Sequence, residues 1–310
     1  MCEVEEEKMV ESEPIEEIDV DVADEYFEEL RKIALKIVNI RKRSLFVMYY
    51  PPGGSILELD IEQIYDELKD NIGAEKLDDL DLLLHTLGGS PDAAYLITQI
   101  LHDFSDSVTV LVPKRAMSAG TLICLGTNEI KLGAHATLSP IDISLVSADR
   151  PDDSIHLVNL DFYLKFVEHF KKMMDSNNIE TEADKDLMVE LVRSIHPLDI
   201  GHFFRVRELT LFYARLLLEE YMFSGLKYKE NDAKEISNKL VFELPSHELL
   251  LDYHIARRIG LCVSEMDVEL SDICGELVES LNDGVDRYLC WYLGNDQHIP
   301  YFKLYTYKEV

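Results

Sequence analysis

Ser118 is the residue on which chemistry can be built. It stands in Ala116-Met117-Ser118-Ala119-Gly120, after the apolar run Val108 to Val112 and its closing Pro113. The run predicts a buried strand, and Ala116 to Gly126 predicts a helix directly after it. A serine at such a corner projects its hydroxyl from a tight turn. The small neighbours leave room for an acyl group, and amides at the helix start can hold developing negative charge. The chemistry is nucleophilic acyl transfer. The same placement also suits a plain N-cap serine, whose hydroxyl accepts an amide of the first helical turn.

A glycine pair precedes it. The expected strand Leu80 to Thr86 stops at Leu87-Gly88-Gly89. Two glycines let backbone N–H groups face open space with no Cβ in the way. Amides at Gly88 or Gly89, joined by that of Ala119, would form an oxyanion hole, where one donor is worth ~10²–10³ in turnover. Other constellations are poorer. His247-Glu248 with His254 lacks the His-Glu-x-x-His spacing, Gly53-Gly54 lacks the rest of a P-loop, and Gly88-Gly89 is no dinucleotide fingerprint. No metal and no cofactor are expected.

The elements that must place these residues alternate. Apolar spacing predicts a helix over Tyr26 to Val38, followed by Arg41-Lys42-Arg43 as an electrostatic cap. Leu45 to Tyr50 predicts a strand running into Pro51-Pro52-Gly53-Gly54. Ile61 to Leu68 and Ser90 to Phe104 predict helices, the second with Ser90 as N-cap and Pro91 at its first position. Glu129 to Leu132 predicts a short strand. Strand and helix alternating at this spacing imply βαβ units in a parallel sheet covered on both faces. The second half turns helical: residues 161–174, 182–194, 205–224, 229–239 and 246–258, then a return strand at Leu261 to Val263. The Tyr-rich end with Trp291 should pack on the body or on a partner.

Charge limits the partners. The 310 residues carry 60 Asp and Glu against 30 Lys and Arg, a net charge of −30. That argues against nucleic acid and anionic membranes, which need clustered cations. Residues 1–29 hold 14 acids and one base, an acidic tail with no secretory signal. The domains expected are a disordered tail over 1–25, one domain over 26–270 and a C-terminal extension over 271–310. No stretch is long and apolar enough for a membrane span. Five cysteines with no Cys-x-x-Cys pair suit reduced thiols and a cytoplasmic protein.

The run Leu84-His85-Thr86-Leu87-Gly88-Gly89, then Ala116 to Ile123, then Leu138-Ser139-Pro140-Ile141-Asp142, resembles the serine dehydrogenase proteinase family. That family is related to the Clp protease subunit and the signal peptide peptidase A type. The resemblance continues through Ile195-His196-Pro197-Leu198, Gly201, Arg207, Ser246-His247 and Ala256 to Val263, so it covers roughly residues 44–265. It implies an α/β fold with a Clp protease and crotonase-like ββα spiral core and a helical C-terminal half. It also implies a Ser118 nucleophile, an oxyanion hole at Gly88, Gly89 and Ala119, a polypeptide substrate and a homo-oligomer. The chain departs from the family pattern at Leu87, where proline is usual, and at Ser139 and Ile143, where glycine and proline are usual.

A serine hydroxyl needs a proton acceptor. The window where Clp subunits carry histidine, around Ser139 to Ile143, has none here; His135 lies nearby, on an expected turn before Leu138. His247 and His196 stand in segments that match the family. Lys165, in Phe162-Tyr163-Leu164-Lys165-Phe166, would be a base if burial lowered its pKa. Asp142 would orient a base or satisfy turn amides. The function expected is a serine peptidase. The alternatives are a catalytically inactive assembly or binding protein on the same fold, and an acyl-thioester enzyme.

Overall fold

The computed structural model describes residues 20–141, 172, 197–224, 230–244, 246, 249–284, 288–294 and 303–304. Helix α1, Val20–Arg41, buries Leu30, Ile33, Ala34, Ile37 and Val38, the stripe its 3.6-residue spacing demands. Strand β1, Ser44–Tyr49, is buried along its whole length. Helix α2 is Leu59–Ile72 and strand β2 is Leu77–His85. Helix α3, Pro91–Phe104, runs into strand β3, Ser105–Val112. Then come the short strand β4, Arg115–Ala116, helix α4, Ala119–Leu125, and strands β5, Glu129–Leu132, and β6, Thr137–Leu138.

The described C-terminal part adds helices α5, Pro197–Leu217, α6, Glu230–Asn238, α7, Tyr253–Ile259, and α8, Val268–Gly284. Strands β7, Val263–Glu265, β8, Leu289–Leu293, and β9, Lys303–Leu304, complete it. The main sheet runs β7-β5-β3-β2-β1-β8-β9. Its strands from β7 to β1 pair in parallel, while β8 and β9 are antiparallel additions at the β1 edge. Parallel strands buried on both faces explain why Leu80 to Leu84 is apolar almost without alternation. One core layer packs α2, α3, α4 and α5 on the sheet; the other packs α1 and α8.

The α/β class expected from the sequence is the one observed, and its repeating unit places the site. β3 ends in the main sheet, the chain turns, and β4 pairs with β6 in a separate two-stranded sheet before α4 begins. A long strand, a short strand in a second sheet and a helix make one ββα step. The expected boundary at 270 falls within α8, and β8 beyond it pairs with β1. Trp291 on β8 is buried in the layer that holds α1 and α8.

Two local expectations change. The helix expected over 246–258 begins only at Tyr253. Leu251 is taken by a bridge to Leu138, and the Asp252 carboxylate accepts the Ile255 amide at 2.8 Å, which sets the helix start there. The basic run at the end of α1, which closes on Arg41, does more than face the helix end. Arg41 Nε and Nη2 donate to both oxygens of Asp81 at 2.7 and 3.0 Å, and Asp81 is 1% exposed inside β2. A carboxylate in a covered strand must be paired, and a bidentate guanidinium is the arrangement that repays its desolvation best. Apart from residue 172, the helices expected over 161–174 and 182–194 lie outside the described residues.

A second buried acid has no cation partner among the described residues. Asp60 opens α2 and accepts from the Tyr50 hydroxyl at 2.7 Å and the Leu57 amide at 2.8 Å. Burial outweighs both bonds and pushes its carboxyl up from 3.8 to about 6, with Glu58 adding to the shift. A folded pKa above the unfolded one means this group favours folding below about pH 4. That contribution is lost as pH rises through about 6. The difference is worth roughly 3 kcal/mol. Asp60→Asn keeps an acceptor and removes the titration. Urea unfolding of both proteins between pH 4 and 7 should show the wild type losing stability relative to the variant as pH rises. A difference independent of pH would remove the assignment.

Candidate active site

Ser118 occupies the N-cap position of α4, yet its side chain makes no capping hydrogen bond. Ser90, at the same position of α3, does cap: its Oγ accepts the Ala93 amide at 3.3 Å. The two serines differ in backbone. Ser90 is extended, whereas Ser118 has φ +49° and ψ −113°. Positive φ is unfavourable for a residue with a Cβ and persists only where surroundings impose it. The plain N-cap reading of Ser118 is therefore not the one the backbone adopts.

The surroundings come from three directions. Thr86, just past β2, bridges to Ala116: its amide donates to Arg115 O at 3.0 Å and its carbonyl accepts from Met117 N at 3.1 Å. Gly120 lets α4 close onto Thr86, because a Cβ there would sit 2.4 Å from Thr86 Cγ2. Behind the turn, the Ser118 amide donates to Ser139 Oγ at 2.7 Å.

The glycine pair lies against this turn. A Cβ on Gly88 would come within 2.9 Å of Ser118 Cβ and 3.4 Å of its Oγ. A Cβ on Gly89 would overlap the Ile56 backbone at 2.2–2.7 Å. Ile56 pairs with this segment on both sides of Gly89: its amide donates to Gly88 O, and its carbonyl accepts from Ser90 N, each at 2.8 Å. The Gly88 amide donates to Thr86 Oγ1 at 3.1 Å. The Gly89 amide takes no part in the Ile56 pairing. The Ala119 amide opens α4, so it has no acceptor within that helix.

Among the expected site residues, the structure thus brings Ser118, Gly88, Gly89 and Ala119 together. Asp142, His247, His196 and Lys165 lie outside the described residues. Two described histidines are placed elsewhere. His85 stacks on Tyr49 at 5.7 Å, and burial, with Lys114 and Arg115 adding, lowers its pKa to about 4, so it is neutral. His135 is on an exposed turn with φ +64°. The polar residues that the sequence reading did not single out as supports are Thr86, Thr121 and Ser139, all fully buried. Their signal was a hydroxyl inside an otherwise apolar stretch, since a buried hydroxyl must find a partner.

Gly89→Ala should destabilise the fold by roughly 2–5 kcal/mol, the sum of a positive-φ penalty and backbone overlap. Gly88→Ala should cost less stability, because only Ser118 and the Met117 carbonyl stand in its way. Thermal unfolding of the two variants checks the order; equal losses would show that the Ile56 contact is not what holds Gly89.

Residues 56–167 match the family model of the ClpP-like SDH-type serine proteinases. Two curated relatives, both from Methanocaldococcus jannaschii, are "Uncharacterized protein MJ1495", 27% identical over 60% of this chain and 52% of the relative, and "Uncharacterized protein MJ0137", 28% identical over 72% and 65%. The chain spans about half to two thirds of the length of these relatives. Among solved structures, a mutant of the 1510-N membrane-bound stomatin-specific protease aligns with a TM-score of 0.42 and 16% identity, covering 74% of this chain and 82% of that one. The ClpP protease catalytic domain from Plasmodium falciparum aligns with a TM-score of 0.37 and 10% identity, covering 83% and 97%. The glycine pair and the Ser118 turn both fall inside residues 56–167, and it is over that segment that the chain matches the ClpP-like SDH-type serine proteinases.

Proposed function

We propose that the protein is a serine peptidase acting on polypeptides, with Ser118 as the nucleophile. The observation that carries this reading is the backbone of Ser118: held at positive φ, kept off helix capping, and packed directly on Gly88. In the reaction, Ser118 Oγ attacks the scissile carbonyl carbon and passes its proton to a base. The amides of Gly89 and Ala119 hold the carbonyl oxygen as it becomes negative, with Gly88 shaping the site. Breakdown of the tetrahedral intermediate returns the proton to the leaving amine. Water then releases the acyl group from Ser118.

The base we assign is His247, oriented by Asp142, with His196 and Lys165 as the next candidates. The family match supports a peptidase at the level of the reaction. A homo-oligomer and a cytoplasmic location complete the proposal. The second rests on five cysteines without a paired motif. Among the described residues, no helix is long and apolar enough to cross a membrane.

A fluorophosphonate probe tests the reading. It should label the wild type at Ser118, as read by peptide mass mapping. Ser118→Ala should lose both the label and any peptide cleavage, a drop of ~10⁴-fold or more. Labelling that survives in Ser118→Ala would place the reactive group elsewhere. A wild type that neither labels nor cleaves peptides would favour the assembly or binding alternative.

A further inference from the structure

We infer that Ser139 is a positioning residue for the nucleophile, holding Ser118 in its reactive rather than its capping conformation; this rests on the peptidase reading above. Ser139 follows β6 and is completely buried. Its Oγ accepts the Ser118 amide at 2.7 Å and donates to Pro140 O at 2.9 Å, so both functions of the hydroxyl are used. Its own amide donates to Thr121 Oγ1 at 3.1 Å. The Thr121 hydroxyl faces two acceptors, Ala116 O at 2.8 Å and Ser139 O at 3.0 Å. The segment after β6 is therefore tied to the chain at Ser118 and one turn beyond it, and Thr121 links that turn back to Ala116.

The physical consequence concerns two conformations of one residue. At φ +49° the Ser118 amide points back toward Ser139 and its side chain is not capping α4. At ordinary negative φ, an N-cap serine turns its hydroxyl onto an amide of the first helical turn, which removes that oxygen from attack. The helix start favours the second state, because capping satisfies an orphan amide. A buried acceptor aimed at the Ser118 N–H favours the first, since leaving that N–H without a partner is costly. The acceptor is a side chain, so it can be deleted without altering the backbone that carries it.

The test compares wild type, Ser139→Ala and Ser139→Thr by three readouts: the second-order rate of Ser118 labelling by a fluorophosphonate, the melting temperature, and amide hydrogen exchange at Ser118. Ser139→Ala should label about 10- to 100-fold more slowly, the scale expected for a misplaced reacting atom. Its melting temperature should move by only a few degrees, and its Ser118 amide should exchange at least about tenfold faster. Ser139→Thr, which keeps the hydroxyl, should label within about threefold of wild type. Labelling of Ser139→Ala at the wild-type rate would overturn the inference, as would a loss that Ser139→Thr does not restore. So would an unprotected Ser118 amide in the wild type, a measurement that needs no variant. A wild type whose Ser118 amide is protected but never labels sinks the peptidase reading itself, and with it the role given to Ser139.

Discussion

The backbone of Gly88 and Gly89 passes between two other stretches of chain at distances no side chain would allow. Ile56 presses on Gly89 from one side, and Ser118 presses on Gly88 from the other. Both glycines hold positive φ, at 124° and 147°. This single close approach joins the turn before α2, the end of β2 and the start of α4. A Cβ on Gly89 would push it off Ile56, and one on Gly88 would press on the Ser118 turn. The candidate site depends on glycine backbone, free of any Cβ, at that junction.

The rest of the molecule holds this junction still. Two apolar layers enclose the main sheet, and several of the polar groups inside them are tied down. Asp81 is clamped by Arg41, Asp60 is held by Tyr50 and Leu57, and the hydroxyls of Thr86, Thr121 and Ser139 close the network around the Ser118 turn. A satisfied buried network specifies one geometry, whereas apolar contacts alone tolerate repacking. The strained φ of Ser118 is sustained in such surroundings because the Ser139 hydroxyl that accepts its amide is itself buried and hydrogen-bonded.

Local pattern made much of the scaffold readable. Apolar runs marked β1, β2, β3 and β5 within a few residues, and Ser90-Pro91 marked the start of α3 correctly. Patterns failed where a distant segment intervened. α7 starts late because Leu251 is captured by Leu138, more than a hundred residues away in sequence, and Arg41 finds Asp81 in a neighbouring strand rather than its own helix end. Neither contact leaves a trace in short-range periodicity.

The same division holds at the site. Residue types and spacing marked Ser118, the glycine pair and Ala119 as candidates, because a tight strand-to-helix turn and a Cβ-free backbone are demands that only certain residues meet, and the fold sets these residues side by side. Types and spacing were not enough to separate a capping serine from one held off its cap. Ser90 and Ser118 look alike along the chain, and they differ only because Gly88 leans on one of them and Ser139 accepts its amide. That choice between two backbone conformations is made by atoms brought together through the fold, and no local stretch of sequence contains them all.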